Sequence, residues 1–477
     1  MGDWSGRRVL ILGAARQGAA LARWLTQHGA IVTLSDVRPE AALTEARAAL
    51  RGMQIRWALG GHPLELLESA DLVCISGGVP TNVPIVQGAV RKGIPLSNDT
   101  QIFMEVVPCR TVGISGSAGK TTTTALVGEM AQTAFGIHAP DSVPQSTGQA
   151  RRAFVGGNIG DPLLNHVGQM NASDLAILEI SSFQLEQMTI SPNVAAVLNI
   201  TPNHLDRHQT MEAYTAAKKR MLDFQRIDDK AVLGRDDDGA WGLRSAVKGE
   251  LLTFGMSHPA GPGDGTSYDD GMLHLLDRGV DIPLLRREQI ELRGDHNLLN
   301  VLAAFAIGHA AGLPLDAMLQ AAEAFRGVPH RLQLVRVLNG ARWYDDSIAT
   351  APERVAAAVR SFDEPLVLLL GGRDKDLPWE DLARLVCRRV DHVVLFGEAA
   401  GKIKLALVTA GAGGPGGQGR PYSLESVQHL QEAVARAYAV AGEGDVVLLS
   451  PGGTSFDEFR DFEERGESFR AWVRELS

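Results

Sequence analysis

The sequence is poor in cysteine and in long apolar runs. It has only three cysteines among 477 residues, and they are scattered without a Cys-x-x-Cys pair or a histidine-rich cluster. This scarcity excludes a disulfide scaffold and a zinc finger, and it favours a reducing cytoplasm. No apolar run approaches the roughly 18 residues that a membrane span needs, so we expect no membrane segment. Arg7, Arg8 and Arg16 interrupt the one apolar run near the N-terminus, residues 9–12, so we expect no signal peptide.

An excess of positive charge is also missing. Lys and Arg number 46 against 56 Asp and Glu, so the formal net charge is −10. A general nucleic-acid binder carries a basic face, so we expect no nucleic-acid partner. Hydrophobic residues make up 45% and charged residues 21%, which is the balance of an ordinary globular protein.

Short apolar runs recur along the chain, and Gly or polar residues and then a helical pattern follow them. Such alternation predicts parallel sheets that are covered on both faces and bind ligands at the carboxyl ends of their strands. The runs that predict strands are residues 9–12, 31–34, 72–75, 175–180, 194–200, 366–370, 392–396 and 446–449.

These strands and the chain length predict an α/β protein of three domains. We expect a Rossmann-like domain at 1–109, a central P-loop ATPase-like domain with a parallel sheet at 110–327, and a second Rossmann-like domain at 328–477. Stretches rich in glycine predict a mobile loop at 258–271 and a solvated surface loop at 410–419.

A candidate phosphate loop opens the central block. Residues 113–122 read Gly-Ile-Ser-Gly-Ser-Ala-Gly-Lys-Thr-Thr, which departs from G-x4-G-K-[ST] only at Ile114. The glycines let main-chain amides point at phosphates. Lys120 would reach the β- and γ-phosphates, Thr121 could ligate Mg²⁺, and a helix over 122–130 would add its dipole.

Three further side chains of the central block could take part in chemistry. Glu179 lies near the end of an apolar strand, where it either holds Mg²⁺ or faces solvent on an edge strand. His204 follows the next strand, either as a ligand or as a hydrogen-bonded loop histidine. Lys218 belongs to a predicted helix at 211–224, and the pattern alone does not separate it from Lys219.

The outer blocks carry weaker signals. Residues 13–18, Gly-Ala-Ala-Arg-Gln-Gly, open a Rossmann-like βαβ unit that continues to Asp36, but alanine replaces the middle glycine of G-x-G-x-x-G. This replacement disfavours a redox dinucleotide, because that glycine lets the backbone approach a pyrophosphate. In the third block, polar clusters at 344–350, 371–375 and 450–456 follow strands and could converge on one small polar ligand.

Motifs across all three blocks resemble those of the Mur ligase family. The segment Leu-Glu-Ile-Ser-Ser-Phe-Gln-Leu-Glu at 178–186 is the most specific of them, and it matches the branch that adds D-glutamate. The other matching segments are 113–123, 156–160, 199–208, 214–220, 294–300, 329–331, 345–350, 368–375 and 449–459.

The resemblance implies an ATP-dependent ligase that adds D-glutamate to UDP-N-acetylmuramoyl-L-alanine through an acyl phosphate. It implies cytoplasmic peptidoglycan precursor synthesis by a monomer whose domains close before chemistry. It also implies two Mg²⁺ ions and a carbamylated Lys218, which separates this lysine from Lys219. The alternatives are a folylpolyglutamate synthase or sister Mur ligase, a P-loop switch or kinase, and an NAD-dependent dehydrogenase.

The resemblance assigns residues to four sites. ATP would contact Gly116, Ser117, Ala118, Gly119, Lys120, Thr121, Thr122, Asn297, Asn300, His330, Arg331 and Asp346. The UDP-sugar would contact Ala15, Arg16, Asp36, Arg38, Ser76, Gly77, Asn158 and His204. D-Glutamate would contact Thr350, Lys375, Ser455 and Phe462. The metal ligands would be Thr121, Glu179, His204 and Lys218, and the catalytic residues Lys120, Glu179, His204 and Lys218.

The chain departs from the family pattern in three places. Ala118 stands where the phosphate loop usually has Asn. Ile348 stands where some members have Lys. Residues 452–454, Gly-Gly-Thr, replace the more usual Ala-Cys-Ala beside the expected D-glutamate pocket.

Overall fold

The computed structural model describes residues 3–136, 151–158, 160–203, 205–258, 263–412 and 419–477. The chain divides into two compact units. The first comprises Met1–Glu291 and Asp295–Phe325, and the second comprises Leu292–Gly294 and Arg326–Ser477. The first unit contains two sheets and the second contains one, which confirms the expected α/β class. The boundaries near residues 109 and 327 stay predictions.

The first sheet has five parallel strands in the order β3-β2-β1-β4-β5, which is the order of a Rossmann-like half. Four helices accompany it. The elements are β1 (Arg8–Leu12), α1 (Arg16–Gln27), β2 (Ile31–Asp36), α2 (Thr44–Ala49), β3 (Ile55–Leu59), β4 (Leu72–Ile75), α3 (Pro84–Arg91), β5 (Leu96–Ser97) and α4 (Asp99–Val106).

The central sheet has nine strands in the order β14-β13-β12-β11-β10-β9-β6-β8-β7. Its strands are parallel, except that β12, β13 and β14 form an antiparallel meander. Its elements are β6 (Arg110–Ser115), α5 (Lys120–Ala134), β7 (Ala153–Gly157), β8 (Leu175–Glu179), α6 (Ser182–Leu185), β9 (Val194–Val197), α7 (Leu205–His208), α8 (Met211–Asp223), β10 (Lys230–Gly234), α9 (Asp238–Trp241), β11 (Glu250–Phe254), β12 (Gly265–Asp269), β13 (Met272–Asp277), β14 (Val280–Arg286), α10 (Asp295–Ala311) and α11 (Leu315–Ala324).

The sheet of the second unit has six strands in the order β15-β16-β20-β17-β18-β19, and only β15 is antiparallel to its neighbour. Its elements are β15 (Gln333–Leu338), β16 (Ala341–Asp345), α12 (Pro352–Arg360), β17 (Leu366–Gly371), α13 (Glu380–Arg389), β18 (His392–Phe396), α14 (Ala400–Thr409), β19 (Ser423–Ser426), α15 (Leu430–Val440), β20 (Val446–Gly452) and α16 (Phe462–Glu475).

Buried apolar side chains explain why these strands lie inside their sheets. All residues of β6 except the first are buried, as are all residues of β8, β9 and β17. The first and central sheets contribute to one hydrophobic cluster, in which Trp24 and Ile102 belong with Leu164 and Met188. This shared core accounts for the union of the two sheets in one compact unit.

All eight predicted strands are confirmed, with ends that differ by up to three residues. The prediction of a loop over 258–271 is wrong in part, because β12 lies within it and pairs with β11 and β13. Residues 259–262 of that stretch, and 413–418 of the predicted surface loop, lie outside the described residues. Among the described helices, none has the length and apolar character that crossing a bilayer requires.

Candidate active site

The register of the central sheet brings the phosphate loop and the acidic strand end together. Ile114 of β6 pairs with Glu179 of β8, and Ser115 pairs with Val197 of β9. The segments that follow these three parallel strands therefore leave the sheet at one edge. This edge is where an open parallel sheet binds its ligands.

The loop 116–119 connects β6 to α5 and supplies the predicted phosphate cradle. Gly119 has a φ of +83°, and a Cβ at this position would overlap the side chain of Asn300, so the loop requires glycine here. Lys120 Nζ donates to the carbonyl oxygens of Gly116 at 2.7 Å and Ser117 at 3.3 Å. Its ammonium group thus lies over the loop, at the positive end of a fifteen-residue helix.

Glu179 is a buried carboxylate on an interior strand, so the alternative of a solvent-facing edge residue is wrong. Thr121 Oγ1 donates to its Oε2 at 2.8 Å, and Asn158 Nδ2 donates to its Oε1 at 3.0 Å. The three side chains present oxygen atoms of the kind that Mg²⁺ prefers. Residues that sequence analysis assigned separately, to metal and to UDP-sugar, are therefore in direct contact.

Lys218 is 1% exposed and lies behind the phosphate loop. Its Nζ donates to Ser115 Oγ at 3.4 Å and lies 4.7 Å from the centre of the Tyr214 ring. Burial, assisted by the positive charge of Lys120, lowers the pKa of Lys218 to about 6. Lys219 instead forms an ion pair with Asp223 and is half-exposed, so the structure separates two lysines that the sequence pattern did not.

The segment that follows β9 forms hydrogen bonds with the predicted phosphate loop, in part through main-chain atoms of that loop. The amide of Ala118 donates to Asn199 Oδ1 at 2.8 Å, and Asn199 Nδ2 donates to the Ala118 carbonyl at 3.1 Å. Ser117 Oγ donates to the Thr201 carbonyl and accepts from the Thr201 amide, both at 2.9 Å. Asn199 had no role assigned from the sequence, although its position after an apolar strand was a signal. His204, farther along this segment, lies outside the described residues.

The corresponding edge of the first sheet holds a charged pair. Arg38 donates to Asp36 from Nε at 3.0 Å and from Nη2 at 2.9 Å, and the Ala14 amide donates at 2.8 Å. Burial opposes ionisation of Asp36, but these hydrogen bonds outweigh it and lower its pKa to about 2. Ala15 and Arg16 are exposed at the start of α1, whose first amides no side chain caps.

The turn after β4 lies against the loop after β1. Ser76 Oγ donates to the Gly13 carbonyl at 3.0 Å, and the Gly77 amide donates to Gln17 Oε1 at 3.3 Å. The structure therefore brings Ala15, Ser76 and Gly77, which are three of the residues predicted to contact the UDP-sugar, to one end of the first sheet.

The predicted nucleotide residues fall in both units. In the first unit, Asn300 Nδ2 donates to Asn297 Oδ1 at 3.1 Å at the start of α10. In the second unit, His330 lies next to Arg331 and has a φ of +62°, and its Nδ1 lies 2.8 Å from Asp345 Oδ2. Buried Asp345 thus fixes this histidine and the backbone that leads to Arg331.

Asp346 is a buried acid whose charge is disfavoured. Burial raises its pKa to about 7, although Ser450 Oγ donates to Oδ2 at 2.7 Å. Leu332 also donates to Oδ1 from its amide at 3.3 Å. The carboxyl group of Asp346, which directly follows β16, therefore gains or loses a proton near neutral pH.

The expected D-glutamate residues lie at the ends of β16, β17 and β20 or just beyond. Lys375 Nζ donates to Thr350 Oγ1 at 3.3 Å, and Arg373 forms a bridge to Thr454 that brings the Lys375 segment beside Ser455. Burial, with Arg354 and Arg465 nearby, lowers the pKa of Lys375. Phe462 begins α16, and its carbonyl accepts from Ser347 Oγ at 2.8 Å.

Arg465 is a residue of this region that sequence analysis missed. It is fully buried, and it donates to Ser347 Oγ at 3.0 Å, to the Ser347 carbonyl at 2.8 Å and to the Gly453 carbonyl at 3.2 Å. No sequence signal could have found it, because an arginine in an amphipathic helix usually faces solvent. In the structure it joins the loops after β16 and β20.

The described residues contain no cluster of three or more His, Cys, Asp or Glu side chains placed to hold a metal. Glu179 is the acidic member of the predicted metal set, beside the Thr121 hydroxyl.

Family models match successive parts of the chain. The "Mur ligase MurD-like, N-terminal domain" matches residues 7–98, the "Mur ligase middle domain" matches 114–308, and the "Mur ligase, glutamate ligase domain" matches 330–453. Together they cover most of the sequence and each of the three sheets.

Curated relatives match over nearly their full length. A UDP-N-acetylmuramoylalanine--D-glutamate ligase of Symbiobacterium thermophilum is 36% identical over 98% of each chain. One of Geobacter metallireducens is 38% identical over 99% of this chain and 98% of the relative.

Solved structures share the fold at lower identity. UDP-N-acetylmuramate-alanine ligase MurC of Thermotoga maritima is 19% identical with a TM-score of 0.58, over 98% of this chain and 99% of its own. MurF ligase of Thermotoga maritima, solved in complex with ADP, is 16% identical with a TM-score of 0.55 and covers both chains completely. The three matched domains and the full-length relatives show that this chain belongs to the Mur ligase family.

Proposed function

We propose that this chain joins D-glutamate to UDP-N-acetylmuramoyl-L-alanine in peptidoglycan precursor synthesis and converts ATP to ADP and phosphate. The observation that carries the proposal is the contact of Thr121 with Glu179 beside the Lys120 loop, in a chain 34–38% identical to full-length ligases of that name. A phosphate loop with a buried acid is what phosphoryl transfer to a carboxylate requires.

The proposed reaction has two steps. An oxygen of the L-alanine carboxylate attacks the γ-phosphate of ATP, the bond to ADP breaks, and an acyl phosphate forms. The amine of D-glutamate then attacks the acyl carbon, the C–O bond to phosphate breaks, and the amine loses a proton as the amide forms. Lys120 and the loop amides offset the negative charge of the phosphates, because anionic groups otherwise repel each other.

We propose that Thr121, Glu179, His204 and Lys218 hold two Mg²⁺ ions. Magnesium, when bound, supplies positive charge against the phosphate oxygens. The hydroxyl and the buried carboxylate fit such an ion, because both are hard oxygen donors. Lys218 fits only after modification, since an ammonium group is no ligand.

Carbamylation of Lys218 would provide an anionic ligand. Carbon dioxide reacts with a neutral amine, and a pKa near 6 leaves most of Lys218 neutral at pH 7. The carbamate would convert a buried cation into an oxygen donor beside Ser115. This change would also remove the repulsion between Lys218 and Lys120 that helps to lower the pKa.

The substrate assignments follow the chemistry of the described side chains. A substrate amino acid with two carboxylates suits the cation of Lys375 and the hydroxyls of Thr350 and Ser455, together with Phe462 at the start of α16. For ATP we propose Gly116, Ser117, Ala118, Gly119, Lys120, Thr121, Thr122, Asn297, Asn300, His330, Arg331 and Asp346. For the UDP-sugar we propose Ala15, Arg16, Asp36, Arg38, Ser76, Gly77, Asn158 and His204.

We further propose that the enzyme works as a monomer in the cytoplasm, where ATP is available. Sedimentation of the purified chain with and without substrates would test the oligomeric state. A mass that corresponds to a dimer at working concentration would contradict the monomer.

The test of the proposal is phosphate release from ATP in the presence of UDP-N-acetylmuramoyl-L-alanine, with and without D-glutamate. L-Glutamate, L-alanine and L-lysine serve as competing amino acids, and mass spectrometry identifies the product. We expect release that depends on both the UDP-sugar and D-glutamate. Release driven by another amino acid would move the chain to a sister ligase, and release that depends on neither would support a P-loop switch.

A further inference from the structure

Arg207 connects two parts of the first unit that sequence analysis treated separately. It lies in α7, directly after the segment that carries His204. Its Nη1 donates to the Gly77 carbonyl and its Nη2 donates to the Val79 carbonyl, both at 3.1 Å. One guanidinium group thus holds two carbonyls of the turn that follows β4.

The guanidinium is supported from its other side by an aromatic ring. Its carbon lies 3.7 Å from the centre of the Phe183 ring, which stacks on His208 at 5.1 Å and 6°. His208 is buried, with Nε2 at 2.8 Å from Ser182 Oγ and Nδ1 at 3.1 Å from Glu186 Oε1. Arg207 is therefore held by the segment that follows Glu179 in the chain.

A second contact beside this turn also involves the segment that follows Glu179. Asn98 Nδ2 donates to the Gln184 carbonyl at 2.8 Å, and both groups are buried. The cavity that Arg207, Phe183 and the 76–79 turn line has a volume of about 10 Å³, which is room for about one water molecule. Movement of the turn away from Arg207 would break the two hydrogen bonds to the Gly77 and Val79 carbonyls.

The turn in question is joined to the loop after β1 through Ser76 and Gly13. Ser76 and Gly77 of this turn are among the residues that we assign to the UDP-sugar, whereas Glu179 and His204 are among those that we assign to the catalytic site. A substrate that contacts both ends binds tightly only if the distance between its two subsites is fixed.

We infer that Arg207 is a positioning residue for the UDP-sugar, which sets the 76–79 turn at a fixed distance from the 182–186 segment that follows Glu179. This inference rests on the proposed function. The planar guanidinium is required because it presents two donors in a fixed geometry, whereas a lysine ammonium is a single point charge. The role is in the binding of UDP-sugar and not in the chemistry of ATP or D-glutamate.

The test compares R207M, R207K and the wild-type enzyme in steady-state kinetics with each substrate varied in turn. We expect R207M to raise the KM for the UDP-sugar by about tenfold, from the loss of two charge-assisted hydrogen bonds. R207K should recover part of this loss. The KM values for ATP and D-glutamate should change by less than about twofold. R226M, at an exposed arginine outside the site, is the matched control.

Thermal melts of the same variants distinguish positioning from a purely structural role. If R207M lowers Tm and kcat together but leaves the KM for the UDP-sugar unchanged, or if R207K is as impaired as R207M, the inference is wrong. Calorimetric titration with UDP-N-acetylmuramoyl-L-alanine tests it without turnover. A wild-type enzyme that binds this UDP-sugar but lacks activity with D-glutamate would refute the proposed function alone, whereas unchanged binding by R207M would refute the inference alone.

Discussion

Individual residues at the candidate site differ mainly in their burial. Lys218 and Lys219 are neighbours in sequence, yet one is 1% exposed beside Ser115 and the other is paired with Asp223 near the surface. The cost of burying a charge lowers the pKa of the first lysine only. A helical pattern predicts which face is buried, but it does not show that a lysine lies on that face.

This difference predicts selective modification of Lys218. With ¹³C-labelled bicarbonate at neutral pH, we expect one carbamate signal in the carbon NMR spectrum of the wild-type protein. K218M should lose both the signal and activity, by about a hundredfold or more. K219M is the matched control and should keep both. A signal that survives in K218M would contradict the assignment.

Glu179 gives a second prediction at this scale. In E179Q the shape of the side chain and a hydrogen bond to Thr121 are retained, but the negative charge is lost. We expect phosphate release to fall by about a hundredfold or more with an unchanged melting temperature. E212Q, an exposed position on α8, should be fully active. Full activity of E179Q would remove the carboxylate from the proposed metal site.

At the scale of elements, the phosphate loop is fixed by a different strand end. Asn199 makes two hydrogen bonds to the main chain of Ala118. Residue 118 is the position at which the family pattern usually has Asn. The conformation of the loop thus depends on residue 199 and on main-chain atoms of residue 118. The Ala118 departure therefore leaves this loop contact intact.

We expect N199A to raise the KM for ATP by about tenfold, because a looser loop presents its amides to phosphates less well. The KM for D-glutamate should not change. N199D keeps the acceptor for the Ala118 amide and loses the donor to the Ala118 carbonyl. Its KM for ATP should therefore lie between those of the wild type and N199A. Equal ATP kinetics in N199A and wild type would show that the contact does not matter for binding.

The Gly-Gly-Thr departure has a physical explanation at the same scale. Gly452 has a φ of +74°, and a Cβ there would lie 2.7 Å from Cη2 of the buried Trp379 ring. A larger residue would clash with the indole and strain the backbone. The small residue and the large ring are therefore complementary.

G452A should lower the free energy of unfolding by about 1–3 kcal/mol. In the double variant G452A/W379F, removal of part of the indole relieves the overlap but not the backbone strain. The double change should therefore cost less than the sum of the two single changes in urea unfolding. Strict additivity would contradict a direct contact between Gly452 and Trp379.

At the scale of the whole molecule, stability depends on pH through buried acids. Asp346 has an ordinary pKa of 3.8 and a folded pKa of about 7. Between these values the folded chain keeps a proton that the unfolded chain releases, so stability falls as pH rises from 3.8 to about 7. At lower pH both states are protonated, and the contribution of Asp346 is fully present.

D346N has no such proton to lose. From about pH 5 to about pH 8, its free energy of unfolding should fall less than that of the wild type in urea titrations. D363N, at an exposed acid of the same unit, should follow the wild type. Parallel curves for D346N and wild type would show that Asp346 is not protonated in the folded state.

The sequence by itself determined the fold class, the eight apolar strands, the glycine-rich loop between β6 and α5, and the family. These features depend on local patterns: buried strands are apolar throughout, and a loop that wraps phosphate needs glycine and lysine at set spacings.

Only the tertiary structure decided which distant side chains meet. Asn199 lies 81 residues from Ala118, Arg207 lies 130 residues from Gly77, and Arg465 lies 118 residues from Ser347. Each of these polar side chains forms hydrogen bonds with main-chain carbonyl or amide groups of a loop that follows a different strand. These bonds offset the cost of removing the polar side chain from water. Such pairings depend on sheet order and register, which local patterns in one sequence do not specify.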